Sequence, residues 1–425
     1  MIKTIKAKKG SVIFIAILIL GFILRLYLSS LSYKTLLWDM QSYANLAGEI
    51  YQGHWAVDCC SKNAGYSLFI ASIYRLFGFE NLDAVRIANI IFDLLTAVFI
   101  FKIVLSRWGK KSAWLSFILY VGNPLTSSYT GLILAENITL FFVSALALLI
   151  TKKGFLNKPL YWFFFGLILG LLVLLRFSLL SFCLSLIILF TVLVFRKRAF
   201  VFFILSCAGF FLTSFYSLVG NYRQFKLISL IPPYNPGIMA FYSSFYQTKR
   251  YPELVSQYPS LDKDYYRINL EYYTTNYPWI PQLKEKYKNL FWQKIRTDWP
   301  ILLQNTIRNK FYIWDKDHLS AYTDPFYPKD RWFIRSYNLI LLFLFGVGLV
   351  ETIFREKRKI LADPLVLFTL LLFFYITFAV TLVSNESRHS LLFYTFIFIW
   401  AGYGGKVISR TILSCTTIDN SSQMS

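Results

Sequence analysis

Residues 11–31 read SVIFIAILILGFILRLYLSSL, an apolar run with Arg25 as its one charged residue. A helix of this length crosses a hydrocarbon core of ~30 Å. Similar runs recur along the whole chain, and 56% of its 425 residues are hydrophobic. The sequence therefore predicts an all-α integral membrane protein, because a single helix satisfies all of its own backbone hydrogen bonds in lipid.

The apolar runs predict ten transmembrane helices. A basic stretch precedes the first run, but no small-x-small cleavage site follows it, so we expect an uncleaved helix rather than a signal peptide. Arg25 lies near the end of this run, where a long side chain is expected to snorkel toward water. The predicted spans are 11–31, 84–106, 112–130, 132–150, 159–175, 178–195, 199–219, 333–351, 364–384 and 389–408.

Lysine and arginine are concentrated in four short connections, 107–111, 152–154, 196–198 and 355–359. Cytoplasmic loops carry such an excess, so both termini are predicted to be cytoplasmic. The net charge of +22 is then an orientation signal rather than a sign of nucleic-acid binding. The predicted domains are a membrane region 1–219 with an external loop 32–83, an external domain 220–332, a second membrane region 333–410 and a cytoplasmic tail 411–425.

The first external loop is predicted to stay close to the membrane. After Asp39, an apolar face at Tyr43, Leu46, Ala47 and Ile50 has helical spacing. Residues 65–77 are apolar but too short for a crossing, so we expect a helix lying in the interface. Asp39 is thus a carboxylate placed just outside the bilayer, and it is the first candidate for chemistry.

The second external loop is rich in Tyr, Trp and Pro. Helices are expected at 265–273 and at 283–308, the latter interrupted at Pro300. Two interpretations of its aromatic residues stay open. They anchor the loop at the membrane interface, or they form a surface on which sugar rings stack. In either case we expect a small lid over the outer ends of the helices.

The order of several short motifs resembles that of C-type polytopic glycosyltransferases, which include the dolichyl-phosphate-mannose protein mannosyltransferases and the aminoarabinose lipid A transferases. The resemblance covers most of the chain. The motifs are Leu24-Arg25-Leu26-Tyr27, Asp39-x-x-x-Tyr43-Ala44-x-x-Ala47, Gly65-Tyr66-x-Leu68-Phe69, Tyr74-Arg75-Leu76-Phe77-Gly78, Val85-Arg86-Ile87, Ala135-Glu136-Asn137, Asn221-Tyr222-Arg223 and Glu386-Ser387-Arg388-His389.

The resemblance implies that a sugar is transferred from a polyprenyl-phosphate carrier to an acceptor protein, lipid or glycan on the outer face of the membrane. It implies that Asp39 is the catalytic carboxylate and that a divalent metal, Mg²⁺ or Mn²⁺, assists. The chemistry agrees, since an attacking hydroxyl must lose a proton and a carboxylate can take it. One carboxylate without a second nucleophile predicts a single displacement with inversion.

A leaving phosphate needs cations around it. The residues expected to bind it are Arg86, Arg223, Arg388, His389 and Lys62. Supporting residues or metal ligands are expected in Glu136 and Asp58, and Tyr43 and Tyr66 complete the predicted site. Met40 stands where the family often has a second acid, and this puts metal binding in question.

Each candidate also has a purely structural interpretation. Asp39 is a good N-cap for the helix that follows it, and Glu136 heads a span where the helix dipole favours an acid. Arg223 and Arg388 lie at outer ends of spans, where the positive-inside rule does not explain them.

Two other classes of protein remain open from the sequence: a polytopic solute transporter or lipid flippase, and a structural protein of the cell envelope. A transporter should show internal repeats and charged residues at the membrane midplane, and neither is evident. The preferred prediction is a glycosyltransferase of a bacterial plasma (inner) membrane.

Overall fold

The structure is a computed structural model. It describes residues 2–32, 35–37, 39–57, 63–194, 199–231, 279–316, 319, 331–356, 363–382 and 387–422. Every regular element in these ranges is helical, which confirms the predicted all-α class. Asp58, Lys62 and the predicted helix 265–273 lie outside the described residues.

The helices of the described residues are numbered here in chain order. Short 3-10 segments occupy Ser128–Gly131, Phe155–Asn157, Phe177–Leu179, Val380–Leu382 and Ser387–Phe393, and a π-helical turn occupies Tyr375–Ala379. The α-helices are α1 Ile2–Ser30, α2 Asp39–Tyr51, α3 Gly65–Phe77, α4 Leu82–Trp108, α5 Lys110–Val121, α6 Pro124–Ser127, α7 Glu136–Ile150, α8 Pro159–Leu175, α9 Leu180–Val194, α10 Ala199–Phe225, α11 Trp279–Thr297, α12 Trp299–Tyr312, α13 Arg331–Glu356, α14 Pro364–Phe374 and α15 Tyr394–Ser422.

Each predicted span coincides with one or more of these helices. Among the described residues, five segments are long and apolar enough to cross a membrane. Four other apolar helices have 10–17 residues each. The count of ten crossings therefore stays a prediction. The five long segments are Gly10–Ser30, Leu82–Trp108, Ala199–Phe225, Trp332–Arg355 and Arg388–Ile412.

The predicted span 112–130 is interrupted. Helix α5 ends at Val121, and the Asn123 side chain accepts a hydrogen bond from the backbone N–H of Leu125 at 3.1 Å to cap a new helix. Pro124 takes the first position of that helix, where its missing N–H costs nothing. The chain then runs through a buried 3-10 turn and a non-helical stretch, residues 132–135, before α7 begins at Glu136. This break carries Glu136 into the interior of the bundle.

The first external loop forms two short helices. Helix α2 begins at Asp39 and buries Met40, Tyr43, Ala47 and Ile50, close to the face expected from the sequence. Helix α3 approaches the end of α8 so closely that a Cβ on Gly65 would lie 2.5 Å from the carbonyl oxygen of Leu174. Only glycine fits there, so the contact fixes α3 against the bundle.

Helices α8 and α10 pack closely against each other. Small residues permit it: a Cβ on Gly166 would lie 1.9 Å from the backbone oxygen of Ser206, and one on Gly209 would lie 2.3 Å from that of Phe163. Small residues let apolar helices approach and gain van der Waals contact, which is the main attraction between helices in lipid.

Arg25 does not snorkel. It is fully buried and binds Asp93 of α4, with Nε and Nη2 at 2.6 and 2.5 Å from Oδ2. The hydroxyl of Tyr120 and the side-chain amide of Asn137 donate to the other oxygen of Asp93, at 2.7 and 3.1 Å. These bonds join α1, α4, α5 and α7 inside the bundle, where removing either charge would leave the other without compensation.

Candidate active site

Asp39 meets Arg388, although 349 positions separate them in the chain. The carboxylate is at the first turn of α2, and the guanidinium lies in the 3-10 segment that precedes α15. Nη2 of Arg388 is 2.7 Å from Oδ2 of Asp39, with side-chain exposures of 13% and 27%. The pair is therefore partly shielded from water, and the carboxylate of Asp39 is the more exposed of the two groups.

Glu136 and Arg176 form a second ion pair beside the first. Nη2 of Arg176 is 2.5 Å from Oε1 of Glu136, and Nε of Arg388 is 3.9 Å from the same oxygen. Nη1 of Arg176 lies 3.2 Å from Nδ1 of His389. We call these five residues, Asp39, Glu136, Arg176, Arg388 and His389, the acid–guanidinium cluster.

Each member of the cluster is held at the end of a helix. Glu136 opens α7, where the helix dipole favours its negative charge. Arg176 stands in an extended conformation between α8 and the next 3-10 turn. The orientation predicted from charged loops places all of these ends on the outer side, so their meeting in space agrees with that topology.

Two tyrosines form the wall next to the cluster. Tyr43 and Tyr66 are buried, and their rings meet edge to face with centroids 5.1 Å apart. The Tyr66 hydroxyl and the Asn89 side chain are hydrogen-bonded at 3.0 Å. Burial raises the pKa of the Tyr43 phenol, with smaller opposing effects from the charges of the cluster. Both phenols stay protonated at neutral pH and present a hydroxyl rather than a charge.

Arg86 and Arg223, both expected to bind phosphate, have other contacts in the structure. Arg86 donates to the backbone oxygen of Gly131 at 3.1 Å and pairs with Asp83 at 2.7 Å. The guanidinium of Arg223 lies 4.9 Å from the ring centroid of Trp55, which fits a cation–π contact. The structure thus brings Arg388 and His389 to Asp39, whereas no contact in the described residues joins Arg86 or Arg223 to Asp39.

Arg176 was not among the residues singled out as site residues from the sequence. The argument that drew attention to Arg223 and Arg388, an arginine at an outer helix end, applies equally to it. Its short turn between two apolar runs gave no further signal. Only the packing of α8 against α7 shows that Arg176 is the partner of Glu136.

A divalent metal does not fit the described part of the cluster. Both carboxylates are already ion-paired, Asp39 with Arg388 and Glu136 with Arg176. Mg²⁺ or Mn²⁺ prefers several oxygen ligands, and the described residues contain no group of three or more His, Cys, Asp or Glu side chains positioned to hold an ion. We therefore derive no step through a metal.

Within the cluster, the two negative charges are matched by two positive charges. Two carboxylates face two guanidinium groups, in a place of low exposure where such interactions are stronger than in water. An incoming anion would find donors already aimed at oxygen atoms, but it must compete with Asp39 and Glu136 for them. The arrangement is suited to binding an anion and to moving a proton nearby.

Comparisons with known proteins concern one part of the sequence and the fold. The sequence profile of the dolichyl-phosphate-mannose-protein mannosyltransferase family matches residues 62–218, less than half of the chain. The resemblance predicted from the motifs is confirmed over this region. No curated protein matches the sequence as a whole.

Solved structures of an archaeal oligosaccharyltransferase share the fold at low identity. The oligosaccharyltransferase of Archaeoglobus fulgidus in its apo form has a TM-score of 0.55 at 10% identity, covering 96% of this chain and 52% of its own. The same enzyme, AglB, in complex with an inhibitory peptide and a dolichol-phosphate has a TM-score of 0.53 at 10% identity, covering 96% and 51%. This chain thus spans about half the length of these proteins. ArnT from Cupriavidus metallidurans in the apo state gives 0.39 at 12% identity, covering 94% and 78%.

Proposed function

We propose that this protein is a glycosyltransferase that moves a sugar from a polyprenyl-phosphate carrier to an acceptor hydroxyl at the extracytoplasmic face of a membrane. The observation that carries the proposal is the ion pair of Asp39 with Arg388 beside Glu136, Arg176 and His389. It sets a potential base next to phosphate-binding cations. The family match over residues 62–218 and the shared fold support the same class of reaction.

The membrane arrangement we propose has ten crossings with both termini in the cytoplasm of a bacterial inner membrane. The first loop, 32–83, and the domain 220–332 then lie outside. In this arrangement all five residues of the acid–guanidinium cluster share the outer side, which is where a carrier that has been moved across the membrane presents its sugar.

Arg388 is the first residue we assign to the donor. Its guanidinium is 2.7 Å from Asp39 and 3.9 Å from Glu136, so it already lies between the two acids. A phosphate oxygen that replaces Asp39 on Arg388 forms a charge-assisted hydrogen bond like the one that Arg388 makes to Asp39. This exchange frees the carboxylate of Asp39 at the moment when the donor arrives.

The freed carboxylate of Asp39 then acts as the base. The acceptor oxygen attacks the anomeric carbon, its proton passes to Asp39, and the bond between that carbon and the phosphate oxygen breaks. The configuration at the anomeric carbon inverts because the step is a single displacement. The electron pair of the broken bond goes to the phosphate, whose added charge is stabilised by Arg388 and Arg176.

Glu136 is a positioning residue in this scheme. It is 96% shielded and holds Arg176 at 2.5 Å, and its partial contact with Arg388 orients the second guanidinium as well. The buried phenols of Tyr43 and Tyr66 exclude water from this side of the cluster. Water exclusion favours transfer to the acceptor over hydrolysis of the donor.

The proposal is tested with purified protein in detergent and a panel of polyprenyl-phosphate sugars. We expect the parent to release sugar from one donor, and Asp39→Asn to lose that activity. The alternative is a transporter or flippase. If the parent is inert on every donor but moves a solute or lipid across vesicles, the glycosyltransferase proposal is wrong.

The buried charges of the bundle do not favour the transporter. Arg25 and Asp93, the ionisable pair inside the helices, are fully buried and bound to each other and to neutral side chains. A transport site needs groups that are open to a solute from one side at a time. This pair joins helices instead.

A further inference from the structure

One lysine close to the acid–guanidinium cluster has no role in the scheme above. Lys316 is 3% exposed, and among the described residues its Nζ has no hydrogen-bond partner. Buried ammonium groups without a partner are costly and therefore rare. A residue of this kind beside a candidate anion site needs an explanation.

The backbone before Lys316 is fixed to neighbouring helices. Helix α12 ends at Tyr312, and each of the next three residues is bonded to a side chain from α13 or from the segment that carries Arg388. Lys316 therefore cannot leave its place by a swing of the loop. The bonds run from Ser390 Oγ to the oxygen of Ile313 at 2.6 Å, from Asn338 Nδ2 to the oxygen of Trp314 at 2.7 Å, and from Arg335 to the carboxylate of Asp315 at 2.8 and 2.9 Å.

These contacts set Lys316 against the segment that presents the phosphate-binding cations. Ser390, which holds Ile313, follows Arg388 and His389 directly in the chain. Nζ of Lys316 lies 5.8 Å from the ring centroid of Tyr394, about one turn further on.

We propose that Lys316 is a further phosphate-binding residue of this site, donating from Nζ to an oxygen of a polyprenyl phosphate that is also bound by Arg388. This inference rests on the proposed function, because it assigns the lysine to the same donor. It explains why an ammonium donor, to which no described residue is hydrogen-bonded, lies next to a cluster that holds two carboxylates and two guanidinium groups.

The ionisation of Lys316 suits this role. Burial lowers the pKa of the amine to about 7, so near neutral pH the group is charged only in part. Among the described residues, the group recorded against Nζ is the uncharged ring of Tyr394. The carboxylate of Asp315 pairs with Arg335 instead. A bound phosphate would set a negative charge beside Nζ and would draw a proton onto the amine.

The test measures binding of undecaprenyl phosphate, of undecaprenol and of inorganic phosphate to the full-length protein in detergent. We expect Lys316→Met to weaken the binding of undecaprenyl phosphate at least tenfold and to leave the binding of undecaprenol unchanged. Lys316→Arg, which keeps the charge, is expected to recover most of the affinity. The control is Lys310→Met, whose ammonium lies 4.5 Å from the ring centroid of Phe378, and it should bind like the parent. Binding of inorganic phosphate that falls to the same degree would assign the contact to the phosphate group alone.

A second readout separates phosphate binding from a structural role. Titrations at pH 7.5 in buffers of different ionisation enthalpy report the protons taken up on binding. We expect the parent to take up more than Lys316→Met, because only the parent has this amine to protonate. A loss of stability without a change in proton uptake would overturn the inference.

Binding of the carrier tests the role of Lys316 separately from the glycosyltransferase proposal. If Lys316→Met binds undecaprenyl phosphate as the parent does, the role of Lys316 is wrong while the glycosyltransferase proposal stands. If the parent itself binds no polyprenyl phosphate, the donor class is wrong, and the role of Lys316 is overturned with it.

Discussion

Asp39→Asn is expected to separate binding from catalysis. The carboxylate of Asp39 holds Arg388 at 2.7 Å. If the donor phosphate must replace Asp39 on this guanidinium, the acid opposes donor binding while it serves the chemical step. The amide has the same shape and no charge. We therefore expect the variant to bind the carrier phosphate more tightly and to transfer sugar more slowly.

The size of both effects follows from the geometry. Two unit charges about 4 Å apart at an effective dielectric constant of about 20 attract by about 4 kcal/mol. Most of this is offset by desolvation, and a hydrogen bond between charged groups contributes about 1.5–3 kcal/mol net. Arg388 also has Glu136 at 3.9 Å, so Asp39 supplies only part of the stabilisation of this guanidinium. We take about 1–2 kcal/mol as the free energy by which Asp39→Asn favours phosphate binding, which is about 5- to 30-fold in affinity for the carrier. Loss of a general base lowers the rate by about 10²–10⁴-fold.

The assay compares undecaprenyl phosphate affinity and the single-turnover rate of sugar transfer in the parent and in Asp39→Asn. The matched control is Glu49→Gln, on the same helix. Glu49 is also hydrogen-bonded, to His54 at 2.6 Å, but both side chains are more than half exposed. We expect no change from it. Weaker carrier binding by Asp39→Asn, or a transfer rate within a few-fold of the parent, would refute the reasoning.

Three further predictions concern buried charges and are read as shifts in thermal unfolding in detergent. Arg176→Gln leaves Glu136 buried without its 2.5 Å partner and should cost about 3–5 kcal/mol of stability. Arg176→Lys keeps the charge and should cost less, so equal losses from the two variants would argue against the ion pair. Asp93→Asn leaves Arg25 buried without an anion and should cost a similar ~3–5 kcal/mol, while carrier affinity of the folded protein stays unchanged. Lys316→Met should be more stable than the parent at pH 7. Because the pKa of Lys316 is about 7 when folded and about 10.4 in an unfolded chain, the parent gains stability as pH rises between these values. The advantage of the variant should shrink by about 2 kcal/mol from pH 7 to pH 9, and an advantage independent of pH would contradict the lowered pKa.

The apolar runs were sufficient to predict helices, but not where they break. The run at 112–130 reads as one span because Gly122, Asn123 and Pro124 are a short interruption in apolar sequence. In the structure this interruption ends α5 at Val121 and starts a new helix, since asparagine caps it and proline opens it. Capping residues carry this information, yet hydropathy averaged over a span conceals it.

Buried ion pairs were the least predictable feature. Arg25 was expected to snorkel because a charge near the end of an apolar run usually reaches water. Its partner, Asp93, lies 68 positions away in another apolar run. No local pattern links the two residues, so the pairing could be found only when the packing of α1 against α4 was known.

The amino-acid sequence alone determined the all-helical membrane class and the loops that carry charge, and it predicted Asp39, Arg388 and His389 as site residues. These properties depend on local composition and on spacing along the chain. Tertiary structure decided which candidates meet: it joined Asp39 to Arg388, paired Arg176 with Glu136, and gave Arg86 and Arg223 other partners. The reason is that an ion pair needs two groups within about 4 Å. Residues hundreds of positions apart reach that distance only when the helices that carry them have packed.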